Sequence, residues 1–315
     1  MLLSTHEADL FESLRGRLEA IAYRLLGSAG DAEDAVQDTY LRWHAADRQR
    51  IETPEAWLTK VLTNICLNRL TSARARRETY VGQWLPEPVL DGDRMLGPAD
   101  TAEQRESVSM AMLTLMERLS PKERVVYVLR EAFGYAHREI AEILDVTEAN
   151  CQQIHRRAKQ HLADARPRAE IEAAAARKIV EEFLAAALSG DTGPLIRLLA
   201  DDAVSLADGG GKVVARRTPV VGAEGIAQYL RGMFRPSDSK RGLVGGNPAF
   251  YAVVVNGEPA VLVEAAGQVV GVLCLEPAPG GLASLHIQVN PDKLQRVARQ
   301  WAAAGSRPDP IPTAW

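Results

Sequence analysis

At 315 residues, 46% of them hydrophobic, the chain is long and apolar enough for two or three domains with cores of their own. A formal net charge of −4 excludes a protein that holds nucleic acid by bulk positive charge. The charge does not segregate either: residues 1–170 carry 23 Lys and Arg against 27 Asp and Glu, so any DNA contact rests on local basic clusters, and weak binding to free DNA is expected.

Residues 5–80 read as helical. Leu10, Leu14, Leu18, Ile21, Ala22 and Leu25 recur on one face, and the glycines at 27 and 30 stop that helix. Asp31 is predicted to cap a second helix over 32–45, with Glu33 and Asp34 favourable in its first turn. On that helix Gln37, Asp38, Leu41 and Arg42, beside Trp43, form a mixed acidic, apolar and aromatic surface of the kind protein interfaces use. Tyr40 and Trp43 fit a core equally well. Thr53 and Pro54 start a third helix as cap and first residue. It turns Trp57, Leu58, Val61, Ile65 and Leu70 inward. Asn64 and Asn68 lie on its polar side, and Arg69, Arg74, Arg76 and Arg77 crowd its end. Positive charge at a helix C-terminus is favourable in itself, so this cluster has a structural reading beside the DNA-binding one.

Residues 81–101 hold Gly82, Pro86, Pro88, Gly92, Gly97 and Pro98 and read as a linker. Within it Trp84, Leu85, Pro86, Glu87 and Pro88 form a stiff, extended, apolar stretch with few donors, suited to lying in a groove. Residues 102–168 are helical again, and 119–162 read as a helix-turn-helix. Ile140, Ala141 and Leu144 supply the packing face of its first helix, with the small Ala141 allowing close approach. Asp145 stands where the turn needs a left-handed backbone, Val146 plugs the corner, and Thr147 caps the second helix. There Cys151, Ile154, Ala158 and Leu162 form a buried stripe. The opposite face carries Asn150, Gln152, Gln153, Arg156, Arg157 and Lys159, side chains that pair with base edges and phosphates. A plain helical hairpin with a solvated basic face is the competing reading.

From residue 171 the pattern changes. One amphipathic helix over 171–189 is followed by predicted strands at 203–207, 213–217, 249–255, 260–265, 269–275 and 283–289, with a helix at 224–234 among them. Asn256-Gly257 is a hairpin turn signal. This order suggests an α+β domain with a curved sheet. Asp208, Gly209, Gly210, Gly211 and Lys212 lie between two predicted strands, where three glycines permit positive φ and close backbone approach. Asn290, Pro291, Asp292 and Lys293 precede a last helix, which Asn290 can cap. The stretch 303–315, with Pro308, Pro310 and Pro312, reads as a flexible tail.

Such a domain could house a catalytic pocket. Asp201, Asp202, Asp208, Tyr229, Tyr251 and His286 are the candidates. Asp201-Asp202 is expected in a turn, and His286 is free to face either pocket or solvent. No paired acid and base is visible, so the chain is not expected to be an enzyme. Cys66, Cys151 and Cys274 show no CxxC or Cys/His spacing, so neither a metal site nor a disulfide framework is expected, and no cofactor is implied. With no basic leader and no apolar run of about 18 residues, a cytoplasmic protein without membrane spans is expected.

Taken together, these residues resemble an extracytoplasmic-function (ECF) sigma factor of RNA polymerase. GDAEDAVQDTYLRW at 30–43 is similar to region 2.2, which docks on the β′ clamp helices of the core enzyme. PEAWLTKVLTNICLNRLTSARARRE at 54–78 is similar to regions 2.3–2.4, which melt and read the −10 element. Residues 119–162 are similar to region 4, which reads −35 and meets the β flap. Two departures bear on promoter sequence: TSARARR lacks the carboxylate common before the arginines, and Ile154-His155 stands where basic or small residues are frequent. The remainder resembles a SnoaL-like domain of the NTF2 fold, and WLPEP, DGGGK and NPDK are signatures of sigma factors that carry it. In that subtype the extension takes over regulation from a separate anti-sigma factor.

The resemblance implies two all-α domains, a σ2 bundle and a σ4 helix-turn-helix, followed by an α+β NTF2-like cone. It implies σ2 at 1–80, a linker at 81–101, σ4 at 102–168, the cone at 171–302 and a tail from 303. Asp34, Gln37, Asp38, Leu41 and Arg42 would meet core polymerase. Asn64, Asn68, Arg69, Arg74, Arg76 and Arg77 would meet the −10 DNA, and Asn150, Gln152, Gln153, Arg156, Arg157 and Lys159 the −35 DNA. Residues 84–88, 208–212 and 290–293 would regulate through contacts of σ2 and σ4 with the cone, which leaves room for a small-molecule ligand. The alternative is a conventional helix-turn-helix regulator fused to a ligand-binding or weakly enzymatic NTF2-like domain.

Overall fold

The structure is a computed structural model and describes residues 5–97, 102–163 and 173–312. It divides into two compact units: Met1–Thr79 with Gly92–Val108 and Met112–Ala165, and Tyr80–Asp91 with Ser109–Ala111 and Arg166–Trp315.

The first unit opens with three long helices, α1 (Thr5–Leu26), α2 (Ala29–Ala45) and α3 (Pro54–Glu78). Leu18, Ile21, Ala22 and Leu25 of α1 and Leu58, Ile65 and Leu70 of α3 are buried as the periodicity predicts, with Val36 and Trp43 of α2 and Leu62 of α3 beside them, while Leu10, Leu14, Trp57 and Val61 are half-buried. The cap of α2 is not Asp31 but Ser28, whose Oγ accepts the Asp31 N–H at 3.1 Å. Serine caps as well as aspartate, and Gly27, at φ 65°, ends α1 one residue earlier. Trp43 donates to Glu7 O at 3.3 Å, and Arg48 ties Glu7 at 2.6 Å to the end of α2.

Five shorter helices follow: α4 (Ala102–Glu106), α5 (Met110–Leu115), α6 (Pro121–Tyr127), α7 (His137–Leu144) and α8 (Glu148–His161). A capping box of Ser120 and Glu123 starts α6, and a π-helical turn at Val128–Ala132 continues it. Two buried arginines stitch this unit. Arg24 donates to Ser107 Oγ and Leu96 O, both at 2.7 Å, and Arg124 donates to Arg24 O at 3.1 Å and pairs with Glu117. Burial pulls both guanidinium groups down to about 9, still charged at neutral pH.

The second unit is built on helices α9 (Ala173–Leu188), α10 (Thr192–Leu198), α11 (Ala223–Phe234), α12 (Asp238–Val244) and α13 (Pro291–Ala303). Its strands are β1 (Leu199–Asp208), β2 (Val220–Val221), β3 (Ala249–Val255), β4 (Glu258–Ala265), β5 (Gln268–Ala278) and β6 (Gly281–Gln288). They form one sheet in the order β2-β1-β6-β5-β4-β3, antiparallel except for β1 beside β6. Alternation splits the side chains between two faces. Leu273, Leu275, Leu285 and Ile287 pack with Phe183, Leu184, Ile226 and Leu230 of α9 and α11. Leu262, Val272 and Cys274 pack with Leu294, Val297 and Trp301 of α13 and with Leu85.

Four expectations are corrected here. Residues 213–217 are not a strand: Lys212 and Val213 both donate to Gly209 O in a tight turn, and Val214 stands 93% exposed. Asp201 and Asp202 are in β1, at exposed positions, not in a turn. Residues 81–91 of the expected linker, together with Tyr80, belong to the second unit, where Leu90 pairs with Val255 on the edge of β3. The tail comes back to the sheet, with Ile311 N–H donating to Phe250 O at 2.8 Å and Arg307 lying over Trp301. Edge strand β3 is thus covered from both ends, which removes a template for unwanted pairing.

Candidate functional site

Three surfaces of the first unit collect the sequence-predicted residues. On α2, Asp34, Gln37, Leu41 and Arg42 are exposed, Leu41 at 58%, while Trp43 turns into the core against Trp57. Asp38 is half-exposed and paired with Arg69.

On α3, Asn68 is exposed and Asn64 half-buried. The guanidinium of Arg69, expected at the −10 DNA, is held by α2 at Asp38 and Asp31 O. The side chains of Arg74, Arg76 and Arg77 lie outside the described residues. A feature the sequence reading missed lies at the other end of α3. An open cleft of about 460 Å³ is lined by Ala46, Asp47, Arg50, Ile51, Glu52, Thr53 and Trp57. The signal in the sequence was the aromatic Trp57 beside the polar, basic 47–53 turn.

The helix-turn-helix forms as its local chemistry dictates. Asp145 takes the left-handed conformation at φ 51°, and its N–H and that of Val146 both return to Ala141 O. Thr147 Oγ1 accepts the Asn150 N–H at 3.2 Å. Cys151, Ile154 and Ala158 are buried, and Asn150, Gln152, Gln153, Arg156, Arg157 and Lys159 are all exposed on α8. His155 lies between partners, with Nδ1 at 3.2 Å from His137 Nε2 and Nε2 at 2.8 Å from Glu131. Glu131 also draws Lys159 to one flank, at 3.6 Å. Hydrogen bonding to His155 holds the Glu131 carboxyl below the usual range.

The second unit assembles the three short motifs around one buried carboxylate. Asp208, fully buried at the end of β1, accepts from Tyr80 OH at 2.7 Å, Leu85 N–H at 2.9 Å and Gly210 N–H at 2.9 Å. Lys293 Nζ sits 2.7 Å from Asp208, donates to Leu85 O at 2.6 Å, and lies over the rings of Trp84 and Tyr80. Gln288 donates to Pro86 O, and Asn290 both caps α13 through Asp292 N–H and donates to Tyr80 OH at 2.8 Å. Burial, then the bond to Asp208, raises the Tyr80 phenol above its ordinary range, so it stays a donor. Lys212 pairs with Asp292 at 2.7 Å on the surface.

The glycines are required by this assembly. A Cβ on Gly209 would lie 2.2 Å from Val213 O, and one on Gly210, at φ 60°, would lie 2.3 Å from the Asn290 amide. Asn290 cannot yield without giving up both its cap and Tyr80. Gly210→Ala should therefore cost about 2–3 kcal/mol, combining positive-φ strain with a lost cap. Thermal unfolding checks this, and an unchanged melting temperature would contradict it.

The comparisons with known proteins agree with this geometry. Residues 10–76 match the family model for Sigma-70 region 2, and residues 109–162 that for Sigma-70, region 4. The ECF RNA polymerase sigma factor SigJ of Mycobacterium tuberculosis (strain ATCC 25618 / H37Rv) is 34% identical over 91% of this chain and 93% of its own length. The chain belongs to the ECF RNA polymerase sigma factors. The crystal structure of M. tuberculosis SigJ matches this sigma factor with a TM-score of 0.70 at 30% identity, covering 92% of this chain and 98% of that one. SigG of the same organism, also an ECF sigma factor, is 30% identical over 61% of this chain and 59% of its own length. The helical modules followed by an α+β sheet domain are thus the sigma-factor arrangement found in SigJ.

Relatives of this sigma factor are not enzymes, and the candidate acids and bases of the sheet domain are not brought together. Asp208 is committed to the motif network. His286 is buried on the α13 face, whereas Tyr229 packs on the opposite face. Tyr251 stacks edge-on against Trp301. Among the described residues, no helix is long and apolar enough to cross a membrane.

Proposed function

We propose that this sigma factor brings core RNA polymerase to promoters through two DNA-binding modules, and that its sheet domain controls them in cis through residues 80–91. The observation that carries the second half is the buried Asp208–Lys293 pair. It fastens the segment joining the σ2 and σ4 modules to the sheet domain, at Tyr80, Leu85 and Pro86. In this reading σ2 is residues 1–80, σ4 102–168 and the NTF2-like domain 171–302. The protein works in the cytoplasm, where polymerase is.

Asp34, Gln37, Asp38, Leu41 and Arg42 dock on the β′ clamp helices, and σ4 reaches the β flap. Asn64 and Asn68 approach the bases of the −10 element, and Arg74, Arg76 and Arg77 hold phosphate. The Trp57 cleft takes an unpaired base from the opened strand, since an aromatic floor beside a guanidinium, that of Arg50, suits a base of any identity. Gln152, Gln153, Arg156, Arg157 and Lys159 read −35, with Asn150 at the start of the helix.

The contacts within the first unit support a closed resting form. Thr59 and Tyr135 hydroxyls meet at 3.1 Å, and Lys60 of α3 reaches Asp145 at 3.0 Å and Glu142 O at 2.7 Å on α7. The −10 and −35 elements lie roughly 25 base pairs, about 85 Å, apart on duplex DNA. Modules in contact cannot span them, so σ2 and σ4 separate on promoter engagement.

Run-off transcription with purified core polymerase and a promoter pool tests the reading. The full chain should direct initiation from a defined subset of templates. Gln153→Ala with Arg156→Ala should lower it about tenfold or more on those with a −35 element, the size of one or two lost base-edge contacts. Absence of initiation together with tight binding to free duplex would instead favour a conventional repressor.

A further inference from the structure

Arg69 stands on the helix expected to read the −10 element, yet its guanidinium is turned to the aspartates of α2. One arm of its guanidinium, Nη2, meets Asp38 Oδ2 at 2.8 Å. The other, Nη1, donates to Asp31 O at 3.1 Å and lies 3.8 Å from the carboxylates of both Asp31 and Asp34. Its side chain is 24% exposed, against 68% for Asp34 and 49% for Asp38.

The three aspartates occur at intervals of three and four residues, so they share one side of α2. Left alone they repel one another, and each would turn to the solvent position that best separates it from the next. The guanidinium fixes Asp38 by a hydrogen bond and keeps Asp31 and Asp34 within ion-pair distance of its second arm, a spread of charge that the single ammonium of a lysine supplies less well. The fork also ties the middle of α3 to α2 at the level of Asp38, one turn before Leu41.

We infer that Arg69 is a positioning residue for polymerase docking: it holds Asp31, Asp34 and Asp38 in the arrangement that the core enzyme meets, and it does not contact promoter DNA. The inference rests on the proposed docking role of α2. It accounts for an arginine that the −10 reading leaves unexplained, and it makes the docking face and the DNA-facing helix one mechanical piece.

The test is run-off transcription at fixed core polymerase and saturating promoter, with the full-length sigma factor titrated. Arg69→Gln should raise the concentration for half-maximal initiation roughly fivefold, the scale of a partly exposed multi-carboxylate pair, and leave the plateau unchanged. Arg69→Lys should fall between Gln and wild type. Thermal unfolding of each variant confirms that folded protein is compared, and the lysine variant keeps the test open if glutamine unfolds the bundle. A reduced plateau at unchanged half-saturation would mean that Arg69 serves DNA opening, and overturns the inference. So would identical titrations for all three proteins. Failure of the wild-type chain to initiate at all would instead count against the sigma-factor mechanism, separately from Arg69.

Discussion

Asp208→Ala should release residues 80–91 from the sheet domain and destabilise that domain by about 3–5 kcal/mol, the cost of leaving one member of a buried ion pair without the other. Four donors converge on the carboxylate within 3 Å: Tyr80, Leu85, Gly210 and Lys293. Once it is gone, Lys293 loses its carboxylate in a site where it is 8% exposed, with Leu85 O and two ring faces among the contacts that remain. Cation–π attraction of about 1–2 kcal/mol does not offset a desolvated ammonium. The readout is twofold. The melting temperature should fall, and chymotrypsin should cut at Tyr80 or Trp84 in the variant well before it cuts the wild type. Asp208→Leu combined with Lys293→Met should recover part of the loss, because an apolar pair leaves no orphaned charge. A variant with wild-type melting and wild-type cleavage would show that the segment is held by its other contacts, the burial of Leu85 and the Gln288 bond to Pro86 O among them. Run-off transcription with the same variant then reads the sign of control in cis.

The parts legible in the sequence are those whose cause is local. The helix-turn-helix is fixed by residues within six positions of one another: Asp145 at the turn, Thr147 at the cap, Ala141 at the crossing. The exposed face of α2 is legible for the same reason, since one helical period sorts Asp34, Gln37 and Leu41 from Val36 and Trp43. What escaped was decided by partners far along the chain. Tyr80, Asp208 and Asn290 meet across separations of 82 to 210 residues, and nothing in a window around any of them specifies the other two. The motifs pointed to the place and left its chemistry unstated. Val213-Val214 carries strand propensity, but the preceding glycine turn and the exposure of Val214 withhold the pairing that makes propensity count. The pairing of Arg69 with α2 was not legible, because a basic residue near a helix end has two uses and the position of α2 is set by tertiary packing.

Acid should loosen the same domain through His286. The imidazole is buried on the α13 face of β6, between Leu206 of β1 and Cys274 of β5, with Ser284 and, beyond it, Glu276 as the polar neighbours on that face. Burial pushes its pKa down from 6.5 to about 4, so the folded domain holds it neutral. The unfolded chain takes up a proton near 6.5 that the folded chain refuses until about 4. The stabilisation is therefore complete above pH 6.5, is lost progressively as pH falls, and levels off below 4. A shift of this size corresponds to about 3 kcal/mol across the window. His286→Asn, which keeps a polar side chain beside Ser284, should flatten the wild-type decline in urea midpoint between pH 7 and 4.5. Parallel declines in the two proteins would assign acid sensitivity elsewhere. The position of His286 gives the effect a direction: Leu206 and His286 lie directly across from each other, and two residues further along the same strands stand Asp208 and Gln288, which hold Tyr80, Leu85 and Pro86. Strain from a protonated imidazole enters the sheet next to that clamp. Chymotryptic cleavage at Tyr80 or Trp84 should therefore quicken at pH 5 in the wild type and not in His286→Asn.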